Sequence, residues 1–431
     1  MRVPELFVNY VRNPRRDSPI NVGVARVIFG AYLLWNFGSM EFGAIDEWHL
    51  MPGAEEYLFF QPPVVQQYLP VEKAVLLVFL LAFLVGYRQR LTALVSALLV
   101  AHLATVMNAY VDSGRVNSMF IAGFFLIFFG LYAETDRLNV DAVRGALSES
   151  IDDLNETLRS PNTGEHSMRI LQLVLLTVAV LYFGSAWTKL VFGSDLSLDW
   201  ISATALGRWA TSALVYWDPP TRLGEFMLRY PLLLTGAALG TIVFELGLLV
   251  AVLVGLPITP LLLGTLGMHT VIALSLGPFF FDQYVFLALL LPWDSLFRYL
   301  GPDEDETIDL VYDEHCYFCA RSLYSFKLLD FTNAVRFHSQ YTVPDRYRGR
   351  EDVSFEDAMY VFDGEDAYAG YDAFRRLAKQ FPVLVPLSWV MSLGPVARVG
   401  RRVYRYVAEN RSRHFTCAVD ADADGASSDR K

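Results

Sequence analysis

Up to about residue 297 the chain is a series of long apolar blocks divided by short polar breaks. Beyond that point the blocks shorten and polar residues mix in. A helix that crosses a bilayer needs roughly 20 mostly apolar residues. Eight stretches reach or approach that length, near 21–39, 72–86, 91–110, 117–133, 169–190, 231–255, 258–276 and 279–297, the last two separated by Gly277-Pro278. The pattern predicts an α-helical polytopic membrane domain of about eight transmembrane helices over 21–298, after a polar N-terminal segment, 1–20. That segment does not read as a cleavable signal, so the first apolar stretch is expected to be retained.

From Thr307 the period changes. Thr307 to Asp313 is β-prone, residues 318–330 have a helical pattern, and Val335 to His338 and Ala358 to Phe362 read as strands. Tyr371 to Phe381 and Val396 to Asn410 read as helices. This order predicts an α/β thioredoxin-like domain over 307–417, followed by a small, acidic, disordered tail, 420–431. In the polar 134–168 connection, Leu147 to Leu158 is expected to form a surface helix. The 191–230 segment, with Trp200, Trp209 and Trp217, is expected to hold short interfacial helices.

Composition agrees with a membrane chain: 54% of residues are hydrophobic and 19% charged, against about a quarter charged in soluble domains. A net charge of −11 excludes nucleic acid as a partner, which requires clustered Lys and Arg. The bilayer is the partner expected instead. Arg2, Arg12, Arg15 and Arg16, then Arg88 and Arg90, then Arg137, Arg144 and Arg159 fall in alternate connections, whereas 40–71 has neither Lys nor Arg. The positive-inside rule then predicts a plasma-membrane protein with both termini cytoplasmic.

Cys316, Cys319 and Cys417 are too few for a disulfide scaffold. The run Asp313-Glu314-His315-Cys316-Tyr317-Phe318-Cys319 follows a predicted strand and opens a predicted helix. Backbone N–H groups at a helix start favour a thiolate, and i, i+3 spacing puts both sulfurs on one face. Cys316 is the expected nucleophile and Cys319 the resolving thiol one turn in. Asp313 would orient the site or take a proton, and His315 would stabilise the thiolate. Two other readings stay open: half of a zinc site, completed by Cys417 and His414 or His338 in a spacing that fits no finger or ribbon, or two inert buried thiols. No metal is expected.

Asp313, Cys316 and Cys319 match the D-x-x-C-x-x-C motif, and residues 308–417 resemble the DCC family of thiol-disulfide oxidoreductase-like proteins. Ala369-Gly370-Tyr371-Asp372-Ala373 resembles the family's G-x-D-A element, and Tyr404, Asn410 and Arg411 its C-terminal tract. The resemblance implies redox exchange with a thiol or disulfide protein partner.

Ionisable groups inside apolar blocks are costly and usually face a protein interior or cavity. Arg26, His102, Lys189, Glu245 and His269 stand there. Lys189, Glu245 and His269 are the candidate membrane site, expected to approach one cavity. Residues 18–298 resemble the HTTM domain, related to vitamin K-dependent gamma-carboxylase, in Val24 to Gly30 and in Tyr182 to Leu190 followed by Asp199-Trp200. That resemblance gives Lys189 the position of a base and matches His269 to a histidine of a later helix. Asn117-Ser118 stands where the carboxylase has histidine.

Three functions follow. The first is a membrane-tethered thiol-disulfide oxidoreductase whose membrane domain binds a quinone or another apolar ligand. The second is a carboxylase-like lyase with Lys189 as base, and the third a non-catalytic membrane scaffold. A thiol relay through the membrane is excluded, because residues 1–315 contain no Cys.

Overall fold

A computed structural model describes residues 15–16, 20–40, 62–110, 114–132, 136, 138–161, 166–191, 200, 203–216, 222–300, 307–350, 353–355 and 358–414. In chain order the elements begin with β1 (Arg15–Arg16), α1 (Ile20–Gly38), α2 (Pro62–Val85), α3 (Gln89–Tyr110), α4 (Gly114–Leu131), α5 (Val140–Ala146) and α6 (Ile151–Arg159). There follow β2 (His166–Ser167), α7 (Arg169–Val191), α8 (Ala203–Tyr216), α9 (Arg222–Leu228), α10 (Pro231–Val254), α11 (Thr259–Leu276), α12 (Phe281–Ala288) and α13 (Trp293–Leu300). The last part holds β3 (Ile308–Tyr312), α14 (Tyr317–Leu329), β4 (Val335–Ser339), β5 (Tyr360–Asp363), β6 (Asp366–Ala369), α15 (Gly370–Gln380), α16 (Val385–Ser392) and α17 (Gly394–His414). The chain divides into two compact units: Met1–Asn139 with Glu165–Trp293, and Val140–Gly164 with Asp294–Lys431.

The first unit is helical. Six helices, Ile20–Gly38, Tyr68–Val85, Gln89–Met107, Arg169–Val191, Pro231–Val254 and Thr259–Leu276, are long and apolar enough to cross a membrane. A seventh is reached only if the bent pair Pro382–Ser392 and Gly394–Asn410, in the other unit, counts as one span; Asn117–Leu131 is a shorter apolar helix. The expected eight spans are therefore not found among the described residues. The stretch 279–297 is not one helix. It breaks after α12, because Pro292 has no N–H to continue the ladder and Trp293 opens a new helix. At eight residues α12 is about 12 Å long, well short of a hydrocarbon core about 30 Å thick. Phe286, Leu287, Leu289 and Leu290 are nonetheless buried in the unit's core.

One buried charge pair anchors α1. Arg26 on α1 has no exposure, and its guanidinium donates to both Asp136 oxygens, at 2.8 and 3.2 Å. It also donates to the carbonyls of Phe83 (3.0 Å), Leu84 and Leu138 (2.6 Å), tying α1 to the end of α2 and to the segment after α4. Gly86 makes this approach possible. It adopts φ +73°, and a Cβ there would lie 2.3 Å from the Asn139 Cβ. Arg26 thus finds its counter-charge inside the protein, in a buried structural pair. His102 similarly meets Glu72, with Nδ1 2.9 Å from Oε1.

The second unit is built on a four-stranded sheet in the order β4-β3-β5-β6. β3 runs parallel to β4, in register Ile308 to Val335, and antiparallel to β5, which forms a hairpin with β6. Parallel neighbours require a crossover, and α14 supplies it. β6 was not expected: Asp366 to Ala369 is too short and polar to carry a strand pattern. It forms because Gly364, at φ +61°, turns the chain back.

The 140–164 segment corrects a second expectation. In place of one surface helix over Leu147 to Leu158 it forms α5 and α6, and it belongs to the sheet unit. Ile151, Leu154 and Leu158 recur at helical spacing, and Ser150 caps the start by accepting from the Asp153 N–H at 3.2 Å. Leu154 and Leu158 are fully buried with Ile308, Leu310, Tyr312, Ala320 and Leu323. The division of the sequence at 298 to 307 therefore misses a piece of the sheet unit that lies well upstream.

The Arg26 pair generates a prediction. Asp136→Ala leaves a buried guanidinium without its counter-charge, and breaking such a pair costs on the order of 3–5 kcal/mol. Thermal unfolding of the purified protein in detergent should show a large loss for Asp136→Ala, mostly recovered in the double variant Arg26→Met/Asp136→Leu. Equal stability of Asp136→Ala and wild type would contradict the structural role.

Candidate functional site

Each unit carries one candidate site. In the sheet unit all five residues of β3 are buried, which fixes where the chain leaves the sheet. It then makes a tight turn before α14. The Asp313 carboxylate accepts from the His315 N–H at 3.0 Å, and the Cys316 N–H donates to the Asp313 carbonyl at 3.2 Å. Cys316 thereby becomes the N-cap of α14, with extended backbone, and its Sγ accepts from the Cys319 N–H at 3.3 Å. A backbone donor aimed at Sγ, at the positive end of a helix, stabilises negative charge on that sulfur. Both cysteines are half-buried. Cys319 is thus not markedly more buried than Cys316.

Asp313 serves the turn. His315 is exposed and stacks edge-on with Tyr341, ring centroids 5.6 Å apart. Among the described residues no cluster of three or more His, Cys, Asp or Glu is placed to hold a metal ion. His338 is engaged with Asp309, whereas Cys417 and the His414 side chain lie outside the described residues.

Sequence reasoning missed the residues that hold the turn from behind. Asn155 on α6 donates to the Glu314 carbonyl at 2.9 Å and accepts from the Tyr312 hydroxyl at 2.9 Å. One amide thus joins the end of β3 to the middle of the D-x-x-C loop. Burial pushes the Tyr312 phenol up, against Arg159 and together with Glu314 and Cys319, so the hydroxyl stays a donor. The Tyr317 hydroxyl donates to the Glu149 carbonyl at 2.8 Å, and Arg321 lies over the Tyr317 ring. The available signal was the amphipathic spacing of Ile151, Leu154 and Leu158 behind a Ser150 cap. Nothing in the sequence said which surface that helix covers.

The Gly370 to Ala373 element serves α15 and α17. Gly370 adopts φ +57°, where a Cβ would meet the Tyr404 ring at 2.7 Å. Asp372 pairs with Arg401 at 3.0 Å, and the Tyr404 hydroxyl accepts from the Met359 N–H at 3.2 Å. Asn410 bonds back within its own helix, to the Tyr406 carbonyl at 2.7 Å. The Arg411 side chain lies outside the described residues.

In the helical unit Lys189, Glu245 and His269 line one cavity of about 730 Å³. Lys189 Nζ donates to Glu245 Oε1 and, at 2.8 Å, to Ser185 Oγ, which itself donates to Glu245 Oε1 at 3.1 Å. Lys189 also lies 5.1 Å from the centre of the Trp200 ring. His269 Nε2 and the Tyr182 hydroxyl share a hydrogen bond of 2.6 Å. Glu245 Oε2 and His269 Nδ1 are buried without a hydrogen-bond partner. Ser185 and Tyr182, one and two turns before Lys189 on α7, were named in the sequence only as part of its tract. Asn117 is exposed on α4, and Asp199 lies outside the described residues.

Residues 310–417 match the family model of the DCC1-like thiol-disulfide oxidoreductases, about a quarter of the chain. No curated protein and no solved structure matches the chain.

The same strand yields a pH prediction. Asp309 on β3 accepts from His338 Nε2 at 2.7 Å, from the Tyr347 hydroxyl at 2.9 Å and from Arg346. Burial pushes its carboxyl up, but the bonds from His338, Tyr347 and Arg346 outweigh this and lower it to about 2 from 3.8. A depressed carboxyl stabilises the fold above its unfolded value, and that contribution is lost as pH falls through the folded value. Asp309→Asn should be less stable than wild type at neutral pH, with the gap closing between about pH 4 and 2. Hydrogen exchange over 308–312 reads this, and a gap unchanged down to pH 2 would contradict it.

Proposed function

We propose that the chain is a membrane-tethered thiol-disulfide oxidoreductase using Cys316 and Cys319. The observation that carries this reading is the capping of α14 by Cys316, with the Cys319 N–H on its sulfur, inside the segment that matches the DCC1-like model. In the proposed reaction the Cys316 thiolate attacks a partner's disulfide and releases one partner thiolate, which takes up a proton. Cys319 then gives up its proton and attacks the Cys316 sulfur of the mixed disulfide, releasing the second partner thiol. Two electrons pass from the dithiol to the partner, and the reverse sequence oxidises a partner dithiol. Asp313 holds the turn that presents Cys316.

The membrane reading rests on the six helices of spanning length. Residues 140–161 and 307–414 fold into one unit, so an even number of crossings lies between them. α7, α10 and α11 give three; we assign the fourth to the broken stretch 279–297 as a whole, whose Phe286, Leu287, Leu289 and Leu290 are buried in protein, and count the shorter α4 as the fourth crossing before residue 140. With the arginine distribution this puts both termini in the cytoplasm. We further assign the α7–α10–α11 cavity to a quinone or another apolar ligand, in an HTTM-like domain. Its walls are mainly apolar, and Glu245 Oε2 and His269 Nδ1 lack partners that a ligand hydroxyl or carbonyl would supply. The alternative of a lyase with Lys189 as base is less favoured, because Ser185 and the Glu245 carboxylate both hold Lys189 Nζ.

The test uses the full chain with Cys417→Ser, equilibrated in glutathione buffers of graded ratio and then alkylated. Cys316 and Cys319 should lose labelling together at one midpoint, and either single Ser variant should abolish that transition. Full labelling of both at every ratio would refute redox activity and favour a scaffold.

A further inference from the structure

The C-terminal helices of the sheet unit carry a surface that neither the thiol site nor the core uses. Pro382–Ser392 and Gly394–Asn410 together form a stretch as apolar as a membrane span, yet bent by 98° at the break. A straight crossing is therefore ruled out. On α17 one stripe, at Ala397, Gly400 and Tyr404, packs inward: Gly400 lies against the Tyr371 ring and Tyr404 against Gly370. A second stripe, Val396, Val399, Val403 and Tyr406, recurs at helical spacing and is exposed, with Tyr406 at 67%. Leu387, Trp389, Val390 and Leu393 extend it across the bend, Trp389 at 66% exposure. On the solvent side of the α17 stripe stand Arg398, Arg402 and Arg405, all exposed.

We propose that this face is a bilayer-contact surface. Leu387 to Tyr406 would lie in the interface of an anionic leaflet, with Trp389 and the valines in the acyl boundary and Arg398, Arg402 and Arg405 on the phosphates. An apolar stripe edged by arginines along one helix is the composition of an in-plane helix. Trp and Tyr favour headgroup level, and cationic side chains near the surface are drawn to anionic lipid. A protein partner would be served by the apolar patch alone. The arginine edge, in a chain of net charge −11, supplies the complementarity to lipid. The sheet unit would then hold the bilayer by a contact of its own, beside its covalent links to the membrane helices.

This inference rests on the membrane reading above and is independent of the thiol reading. The experiment places a benzophenone amino acid at Trp389 or Val399 of the full chain, in nanodiscs of zwitterionic phosphatidylcholine with or without phosphatidylserine. The control position is Asp345, whose side chain is almost fully exposed. Irradiation should give phospholipid adducts at 389 and 399 but not at 345. Yield should fall several-fold without phosphatidylserine, and likewise in Arg398→Gln/Arg402→Gln/Arg405→Gln. Adducts confined to protein, or equal lipid adducts at 345, would overturn the proposal. Alkaline carbonate extraction separates the two levels. Release of the chain from membranes would overturn the spanning reading and this inference together, whereas retention with protein-only adducts overturns this inference alone.

Discussion

The sheet unit depends on one turn, the four residues that carry the chain from the end of β3 to the first turn of α14. A helix start leaves backbone N–H groups without partners, and here a sulfur occupies the position usually held by a Ser, Asp or Asn oxygen. The Cys316 Sγ takes the Cys319 N–H, so the contact that caps the helix is also one that favours negative charge on the first sulfur. Because β3 is buried along its whole length, the turn cannot slide relative to the sheet. Asp313 closes it from the front and Asn155 anchors it from behind.

The anchor comes from a distant part of the chain. Residues 140–161 fold with β3 and α14, although more than a hundred residues, including three of the six helices of spanning length, lie between them in sequence. The sheet unit is thus closed by two chain segments that flank, in sequence, three helices of spanning length. The same economy of buried polar groups recurs in the helical unit. Arg26 finds Asp136 and three carbonyls, and Lys189 finds Glu245 and Ser185. Glu245 Oε2 and His269 Nδ1, by contrast, are buried in the cavity wall without a hydrogen-bond partner.

Features written in local periodicity were legible in the sequence. The long apolar helices, the strand before the cysteines and the i, i+3 thiol pair each follow from a few adjacent residues. So did the candidate status of Lys189, Glu245 and His269, since a charge within an apolar block is visible without knowing its neighbours. What stayed hidden depended on partners far away in sequence. The spacing of Leu154 and Leu158 announces a helix but not that β3 and α14 cover it, and Asn155 has no signature outside that contact. The 279–297 stretch misled for a different reason: its composition suits a span, while Pro292 divides it. β6 is held by its hairpin rather than by any strand propensity of Asp366 to Ala369.

The central claim is that Cys316 attacks and Cys319 resolves. Trapping in cells tests it most directly. With Cys417→Ser as background, Cys319→Ser should accumulate mixed disulfides with partner proteins, visible as bands of higher mass that disappear on reduction, while Cys316→Ser should trap none. Equal trapping by both variants, or by neither, would contradict the assignment of nucleophile and resolving thiol.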